Sequence, residues 1–269
     1  MKRSVNGIDL YYEDCGTGPA MIFVHGLGEN GDSWKYQVAC FKAGFRTISM
    51  DLRGHHRSED GELSITMALF ASDIIALMDL LEIGSAHFVG LSMGGLICQE
   101  LTINHQHRMK TMTLSDAAGF YPESMSGPGL EERLAMLRTL PMAEIGRLVG
   151  EVATRPDIDK ETLEDIIGMF QLNRKIPYLQ ATRSTMTADY RKIHHAIDIP
   201  SLIMVGALDL VTPIAFSQFL NRAIRHSKMT IIPHAAHMSK IENHQDYNKR
   251  LGEFLAPYEP DAFRALSLK

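Results

Sequence analysis

Cysteine is scarce in this sequence: Cys15, Cys40 and Cys98 are the only three in 269 residues. An odd, scattered set argues against a disulfide framework and favours a reducing compartment. Residues 1–9 lack the apolar stretch of a secretory signal. No run approaches the roughly 18 uninterrupted apolar residues that a membrane span requires. The sequence therefore predicts a cytoplasmic protein with no membrane segment.

An excess of positive charge is also missing. Lys and Arg together number 27 and Asp and Glu 32, which gives a net charge of −5 with no block of like charges. This balance argues against a nucleic acid or an anionic membrane surface as partner. The hydrophobic share of 45% and charged share of 22% exclude collagen-like, coiled-coil and disordered classes. We expect a globular protein with a large core.

Short apolar runs alternate with helical patterns near both ends of the chain. Such runs predict strands covered on both faces, and the alternation predicts an α/β fold. We expect a mostly parallel central sheet with helices on both faces, preceded by an antiparallel pair near 4–12. The clearest helix is predicted over 64–81, with Ser64 as its N-cap. The predicted strands are 20–24, 45–50, 86–89, 109–114, 201–205 and 228–232.

The middle of the chain breaks this alternation. Segment 120–199 contains no strand-like run, and helical patterns surround 134–140, 143–152, 162–170 and 178–186. Residues 124–129 are rich in serine, glycine and proline and predict a turn-rich linker. We therefore expect a core formed by residues 1–119 and 200–269, with residues 120–199 inserted as a helical cap.

A G-x-S-x-G motif marks the candidate nucleophile. The sequence Gly90-Leu91-Ser92-Met93-Gly94 follows the strand predicted at 86–89 and precedes a helical run. A serine on such a strand-turn-helix is typical of a nucleophile elbow, with small flanking residues because a β-carbon there would collide with the returning helix. Ser92 is the predicted nucleophile. The alternative is an ordinary glycine-rich turn in which Ser92 only caps the helix.

A second glycine-rich loop supplies a candidate oxyanion hole, which needs donors already aimed at the developing charge. His25-Gly26-Leu27-Gly28 follows the strand predicted at 20–24. The flanking glycines allow the Leu27 N–H to turn towards Ser92, and we expect it to act with the Met93 N–H. His25 is predicted to shape this loop through hydrogen bonds to backbone rather than to take part in catalysis.

The order of these motifs resembles the α/β-hydrolase superfamily. The resemblance rests on HGLG at 25–28, DLRGHHRS at 51–58 and GLSMGG at 90–95, and it covers residues 8–118 and 199–255. Within the superfamily, the sequence is similar to 3-oxoadipate enol-lactonases, small carboxylesterases and carbon–carbon bond hydrolases of aromatic degradation. The last group commonly has tryptophan after its catalytic histidine, where this chain has Met238.

The resemblance implies a triad in the chain order serine, acid, histidine. His237 follows the last predicted strand and comes after two small residues, Ala235 and Ala236, so it is the expected base, with His234 as its rival. Asp209 follows the strand predicted at 201–205 and is the expected acid. Asp116, after the strand at 109–114, remains the alternative acid.

These residues predict acyl transfer without a metal or an organic cofactor: Ser92 attacks a carbonyl carbon, with His237 as base. The expected partner is a small-molecule ester or lactone. A carbon–carbon hydrolase, perhydrolase or lyase with the same triad is one alternative, and a ligand sensor with slow or no turnover is another. Any of several cap arginines would suit a substrate carboxylate: Arg133, Arg138, Arg147, Arg174 and Arg183.

Overall fold

The computed structural model of the protein describes residues 1–266, which build an eight-stranded sheet in the order β1-β2-β4-β3-β5-β6-β7-β8. The pairs β1·β2 and β2·β4 are antiparallel, and the other pairs are parallel. The predicted mostly parallel sheet is confirmed. The strands are β1 Lys2–Val5, β2 Ile8–Cys15, β3 Ala20–Val24, β4 Arg46–Met50, β5 Ala86–Leu91, β6 Met109–Ser115, β7 Ser201–Gly206 and β8 Ser227–Ile232.

Helices cover both faces of the sheet because successive residues of each central strand point to opposite sides. Along β3, Ile22 and Val24 belong to one buried apolar cluster, and Met21 and Phe23 belong to the other. The helices are α1 Lys35–Phe41, α2 Met67–Leu80, α3 Met93–His105, α4 Glu123–Ser126, α5 Pro128–Thr139, α6 Met142–Ala153, α7 Lys160–Gln171, α8 Lys175–Thr187, α9 Ile214–Ala223, α10 Ser239–Glu242, α11 His244–Leu255 and α12 Pro260–Arg264. Within residues 1–266, no helix is both long enough and apolar enough to cross a membrane.

Helix α2 begins later than its sequence pattern predicts. Thr66, not Ser64, is the N-cap, and its side chain accepts a hydrogen bond of 3.1 Å from the Leu69 N–H. Ile65 precedes this cap and is buried in the same apolar cluster as Phe70, the fourth residue of the helix. This pairing is that of a hydrophobic staple, which sets the angle at which the chain enters a helix. Burial of Ile65 therefore places the start of the helix after it.

Segment 120–199 folds into helices α4–α8 between β6 and β7, and all four predicted helical patterns lie in helices. The turn-rich linker predicted at 124–129 is wrong, because these residues form α4 and the first turn of α5. A β-carbon at Gly129 would lie 2.3 Å from the Ser124 carbonyl oxygen. The glycine there allows a close backbone approach and lies in the first turn of α5.

The helices of this segment lie over the carboxyl end of β3. Asn173, directly after α7, donates a 2.7 Å hydrogen bond to the Gly28 carbonyl. Gly28 itself has φ +84°, and a β-carbon there would come 2.2 Å from the Phe170 ring. Both the backbone conformation and the packing thus require glycine, and the loop after β3 is held between the sheet and α7.

One buried ion pair ties the amino-terminal hairpin to the rest of the core. Arg53 meets Asp73 of α2 through two hydrogen bonds of 2.7 Å, and both side chains are 1% exposed. The same guanidinium donates to the Asn6 carbonyl at 3.1 Å and to the Asp60 carbonyl at 3.2 Å. Loss of either charge would leave the other buried without a partner.

We expect Asp73→Asn to lower the free energy of unfolding by about 3–5 kcal/mol, because the Arg53 charge stays buried without its counter-ion. Urea denaturation measures the change. The control is Asp79→Asn, whose carboxylate is 61% exposed in its pair with Arg108 and whose loss should cost less than about 1 kcal/mol. Equal losses in the two variants would contradict the structural role of the buried pair.

Candidate active site

Ser92 lies on a strained turn between β5 and α3. Its backbone has φ +52° and ψ −114°, a region that residues with a β-carbon rarely occupy. The turn is held by the Ser92 N–H, which donates to the Ser115 carbonyl at 2.9 Å, and by the Ser92 carbonyl, which accepts from the Gly95 N–H at 2.9 Å. The Ser92 side chain makes no capping hydrogen bond. The alternative that Ser92 only caps α3 is therefore wrong.

The glycines around Ser92 are required by close backbone contacts. A β-carbon at Gly90 would lie 2.4 Å from the Gly94 carbonyl oxygen, and one at Gly94 would lie 2.1 Å from the Val24 carbonyl oxygen. Helix α3 thus folds back directly across the ends of β5 and β3, as the motif predicts. This packing brings Ser92 next to the loop that follows β3.

That loop contains Leu27 between two glycines, and Leu27 and Ser92 line the same cavity. Met93 is the first residue of α3, and the first N–H groups of a helix have no acceptor within it. The fully buried His25 shapes the loop: its Nε2 accepts the Leu52 N–H at 2.9 Å, so its Nδ1 donates to the Gly26 carbonyl at 2.7 Å. Burial lowers the pKa of His25 and keeps the ring neutral.

His237 and Asp209 form a buried pair at the ends of neighbouring strands. His237 Nδ1 lies 2.9 Å from Asp209 Oδ2. The other carboxylate oxygen of Asp209 accepts the Val211 N–H at 2.8 Å and the Thr212 N–H at 2.9 Å. The Thr212 hydroxyl donates to Asp209 Oδ2 at 2.8 Å. Because every contact to the carboxylate comes from a donor, Asp209 is held as an anion in one orientation.

Burial and neighbouring charges shift the pKa values of Asp209 and His237 in opposite directions. Burial alone would raise the pKa of Asp209, but the His237 ring and the Thr212 donors lower it below its ordinary value. Burial alone would lower the pKa of His237, but the charge and hydrogen bond of Asp209, helped by Asp116 and Glu29, raise it above its ordinary value. The site therefore stabilises the protonated form of His237 next to an ionised Asp209.

Asp116, the alternative acid, has a different set of partners. Its carboxylate accepts the Gly206 N–H at 2.7 Å and the hydroxyls of Ser115 and Ser239 at 2.8 and 2.5 Å. Burial, together with the charge of Asp209, raises the pKa of Asp116 to about 7. The structure places Asp209, and not Asp116, on the Nδ1 atom of His237.

A cavity of about 80 Å³ brings Ser92 and His237 together with helices of segment 120–199. The rival histidine, His234, is exposed. Among the described residues, Ser92 Oγ makes no hydrogen bond to His237; nucleophile–base contacts are often long in the absence of substrate. The segment contributes much of the cavity wall, including Tyr121, Met125, Arg133, Val149, Phe170, Tyr178, Thr185 and Met186.

Three residues near the site escaped the sequence reasoning. Thr212 follows Asp209 by three residues, a spacing at which a hydroxyl can donate a hydrogen bond back to a carboxylate. The local sequence therefore contained a pattern that could have predicted this contact. Glu29 and Lys240 form a buried ion pair beside the cavity. They lie 211 positions apart, and no motif connects them, so only the folded chain shows that they meet.

The parallel sheet, the strained serine turn and the histidine–aspartate pair are those of an α/β hydrolase. A family model described as the alpha/beta hydrolase fold matches residues 19–244. The chain belongs to this hydrolase family, which confirms the resemblance inferred from its motifs.

Named relatives lie within the same family. The chain is 30% identical over 234 residues to 3-oxoadipate enol-lactonase 2 of Acinetobacter baylyi, with 86% of each chain covered. The crystal structure of the enol-lactonase from Burkholderia xenovorans LB400 is 28% identical, covers 95% of this chain and 100% of its own, and has a TM-score of 0.89. A thermophilic esterase from Thermogutta terrifontis shares the fold at 24% identity and a TM-score of 0.89, with 96% and 97% covered.

The contacts around His237 predict how its titration responds to substitution. Asp209→Asn removes the largest influence that raises the pKa of His237, so the imidazole should lose its proton at a clearly lower pH than in the wild type. Asp116→Asn, the matched control, removes a more distant carboxylate and should lower the pKa of His237 less. An NMR titration of the ring protons measures both. A larger shift in Asp116→Asn would show that the aspartates are wrongly assigned.

Proposed function

We propose that the protein is a serine hydrolase that cleaves a small carboxylic ester or lactone through an acyl-enzyme on Ser92. The observation that carries the proposal is the shared cavity of Ser92, on its strained turn, and His237, whose Nδ1 is held by Asp209. The relatives named enol-lactonases support the choice of a lactone or ester.

In the first half of the reaction, His237 Nε2 takes the Ser92 proton while Ser92 Oγ attacks the carbonyl carbon. Asp209 accepts the Nδ1–H of His237, which leaves the lone pair of Nε2 free to act as the base. The imidazolium that forms is stabilised by the charge of Asp209, in keeping with the raised pKa of His237.

The oxyanion that develops on the carbonyl oxygen requires donors already in place. We assign this role to the N–H groups of Leu27 and Met93. Gly28 with its positive φ fixes the first loop beneath α7, and the first turn of α3 adds the partial positive charge of a helix N-terminus. Neither donor depends on a side chain that must first become ordered.

The first half ends when His237 protonates the leaving oxygen and the bond between this oxygen and the acyl carbon breaks, which leaves the acyl group on Ser92 Oγ. In the second half, His237 takes a proton from a water that attacks the acyl carbon. It returns that proton to Ser92 Oγ as the bond between Oγ and the acyl carbon breaks. An ester yields an acid and an alcohol. A lactone yields a single hydroxy acid, because its leaving oxygen remains joined to the acyl group. The mechanism uses no residue of segment 120–199 for bond making or breaking.

We assign segment 120–199 the role of a cap that selects the substrate, over a core of residues 1–119 and 200–269, of which residues 267–269 lie outside the described residues. Arg133 is the strongest candidate for a specific contact, because it lines the cavity and, within residues 1–266, forms no ion pair with a carboxylate. Arg183, by contrast, pairs with Glu131, and Arg174 lies 3.5 Å from Asp60.

The neighbours of Arg133 are also suited to an anion. Burial raises the pKa of Tyr121 and of Tyr178 to about 12, while the charge of Arg133 opposes that rise, so both phenols keep their donor protons near neutral pH. The Thr185 hydroxyl, also on the cavity wall, is buried and has no hydrogen-bond partner in the described part of the chain. One cation and three hydroxyls around one small cavity favour a substrate that carries a carboxylate.

The serine mechanism is tested by covalent labelling. The sulfonyl fluoride PMSF should modify Ser92 and abolish hydrolysis of p-nitrophenyl acetate, while Ser92→Ala should be inactive and should lose the label found at this peptide by mass spectrometry. Chelators should have no effect. Chelator-sensitive turnover with Ser92 unlabelled would replace this mechanism.

The alternative activities are outcomes of a substrate panel. Lactones, enol-lactones and simple esters should be hydrolysed, whereas faster cleavage of vinylogous diketones would indicate a carbon–carbon hydrolase. Tight binding of these compounds without turnover would indicate a ligand sensor.

Arg133→Gln should discriminate between charged and neutral esters. A hydrogen bond to a charged group contributes about 1.5–3 kcal/mol, so kcat/KM for mono-p-nitrophenyl glutarate should fall about 10- to 100-fold. Hydrolysis of p-nitrophenyl acetate should be nearly unchanged. The control is Arg147→Gln on the exposed side of α6, which should affect neither ester. Equal losses on both esters in Arg133→Gln would exclude a carboxylate-binding role.

A further inference from the structure

A second buried pair of charges lies beside the cavity and takes no part in the mechanism above. Lys240 Nζ lies 2.5 Å from Glu29 Oε2, and the two side chains are 0% and 1% exposed. Burial alone would raise the pKa of Glu29, but the ammonium of Lys240 lowers it below its ordinary value. Burial also lowers the pKa of Lys240, and the carboxylate of Glu29 opposes that fall. The contact between the two side chains is that of a salt bridge shielded from water.

The surroundings of Lys240 hold its side chain in one place. The ammonium also donates to the Ser33 hydroxyl at 2.6 Å and lies 4.2 Å from the centre of the Trp34 ring. The backbone carbonyl of Lys240 accepts a 2.9 Å hydrogen bond from Gln37 Nε2. The side chain and the backbone of Lys240 are thus both bonded to residues of segment 33–37, which follows the loop after β3.

The ion pair joins the two loops that meet at the substrate carbonyl. Glu29 comes two residues after Leu27, the proposed oxyanion donor, and its side chain lines the cavity. Lys240 comes three residues after His237, the proposed base. Within the described residues, this salt bridge connects the short stretch that contains the donor directly to the stretch that contains the base.

Stability alone is a weak reason for such a pair. Removing two charges from water costs several kcal/mol, and buried ion pairs are often replaced by apolar residues without loss of stability. A fixed distance between two loops is a different requirement, since Lys240 keeps its partners Glu29 and Ser33 only while the two loops stay in contact, and loss of one partner would leave a buried charge uncompensated. The location of the pair agrees with that second requirement.

We propose that Glu29 and Lys240 are positioning residues that hold the Leu27 loop and the His237 loop at the separation needed for acyl transfer. The proposal rests on the proposed function. It predicts that loss of the pair lowers kcat, because a misplacement of about 1 Å costs on the order of 100-fold in rate. It also predicts little change in KM, because the cap walls that bind the substrate are untouched.

The main test is the double variant Glu29→Gln with Lys240→Met, which removes both charges and leaves neither buried without a partner. We expect kcat for p-nitrophenyl acetate and for mono-p-nitrophenyl glutarate to fall by the same factor, about 10- to 100-fold, with KM within about twofold. Glu29→Asp, which keeps a carboxylate, should recover part of the lost rate.

The matched control removes an equally buried ion pair that does not line the cavity: Arg53→Met with Asp73→Asn. Its melting temperature is measured beside that of the Glu29/Lys240 double variant, and its kcat should stay near the wild-type value. If the Glu29/Lys240 double variant does not fold, the kinetics of Glu29→Asp and Lys240→Arg decide: wild-type kcat in both, despite altered ion-pair geometry, overturns the proposal.

A pH profile supplies a readout that a purely structural role would not move. Activity requires neutral His237 and is lost as the pH falls through the pKa of this ring. Glu29→Gln leaves the Lys240 cation, which lowers that pKa and moves the acid limb of kcat/KM to lower pH. Lys240→Met leaves the Glu29 carboxylate and moves the limb to higher pH. Neither substitution removes the other charged groups around His237, which are Asp209, Asp116, Glu242 and Arg133. Asp116, with its pKa of about 7, titrates in the same pH range in every variant.

The two proposals fail in different ways. Wild-type kcat in the Glu29/Lys240 double variant, with Ser92→Ala inactive, overturns the positioning role and leaves the serine hydrolase intact. A fall in kcat no larger than that of the Arg53/Asp73 control would also overturn the positioning role and leave the serine hydrolase intact. Full activity in Ser92→Ala overturns the proposed function itself.

Discussion

The contact between α3 and the carboxyl ends of β3 and β5 is the constraint on which the rest of the site depends. With the backbone of α3 so close to Val24 that position 94 has no room for a β-carbon, the chain must reverse within one residue of the end of β5. Ser92 takes up that reversal and acquires its positive φ. The strain is offset by hydrogen bonds to Ser115 and Gly95 and by the burial of α3 against the sheet.

Buried charge is the second organising feature, and it is concentrated around the carboxyl edge of the sheet. Asp209 is stabilised as an anion by donors, whereas Asp116, only a strand away, has a raised pKa because burial and the neighbouring carboxylate disfavour its charge. Two aspartates in one fold therefore differ in their proton affinity because their surroundings differ. The charge of Glu29, which is paired with Lys240, also acts on His237, so the electrostatic environment of this ring is set by several loops.

The helices of segment 120–199 complete the cavity without contributing to the sheet. Phe170 packs on Gly28, and Asn173 bonds to its carbonyl, so the same helix end that closes the cavity also holds the loop containing Leu27. Restraint of the donor loop and restriction of access to Ser92 are therefore coupled. A change in α7 that widens the cavity would at the same time loosen the loop beneath it.

Where the sequence pattern and the structure differ, tertiary packing is the cause. Ser64 and Thr66 are both suitable N-caps, and the helix begins after Thr66 because Ile65 is buried in the same apolar cluster as Phe70. Residues 124–129 have the composition of a turn, yet all of them except Gly127 are helical, and Gly129 allows α5 to approach the Ser124 carbonyl closely. The local composition of a segment does not show which distant residues pack against it in the folded chain.

The sequence by itself determined the alternation of strands and helices and the elbow at Ser92, because these follow from local periodicity and from glycines that local geometry requires. The expected order of acid and histidine came from the resemblance of its motifs to a known superfamily. Only the tertiary structure placed Asp209, and not Asp116, against His237, brought Arg133 to the cavity wall, and joined Glu29 to Lys240. Those outcomes depend on distances and burial between residues far apart in the chain, and no local pattern contains that information.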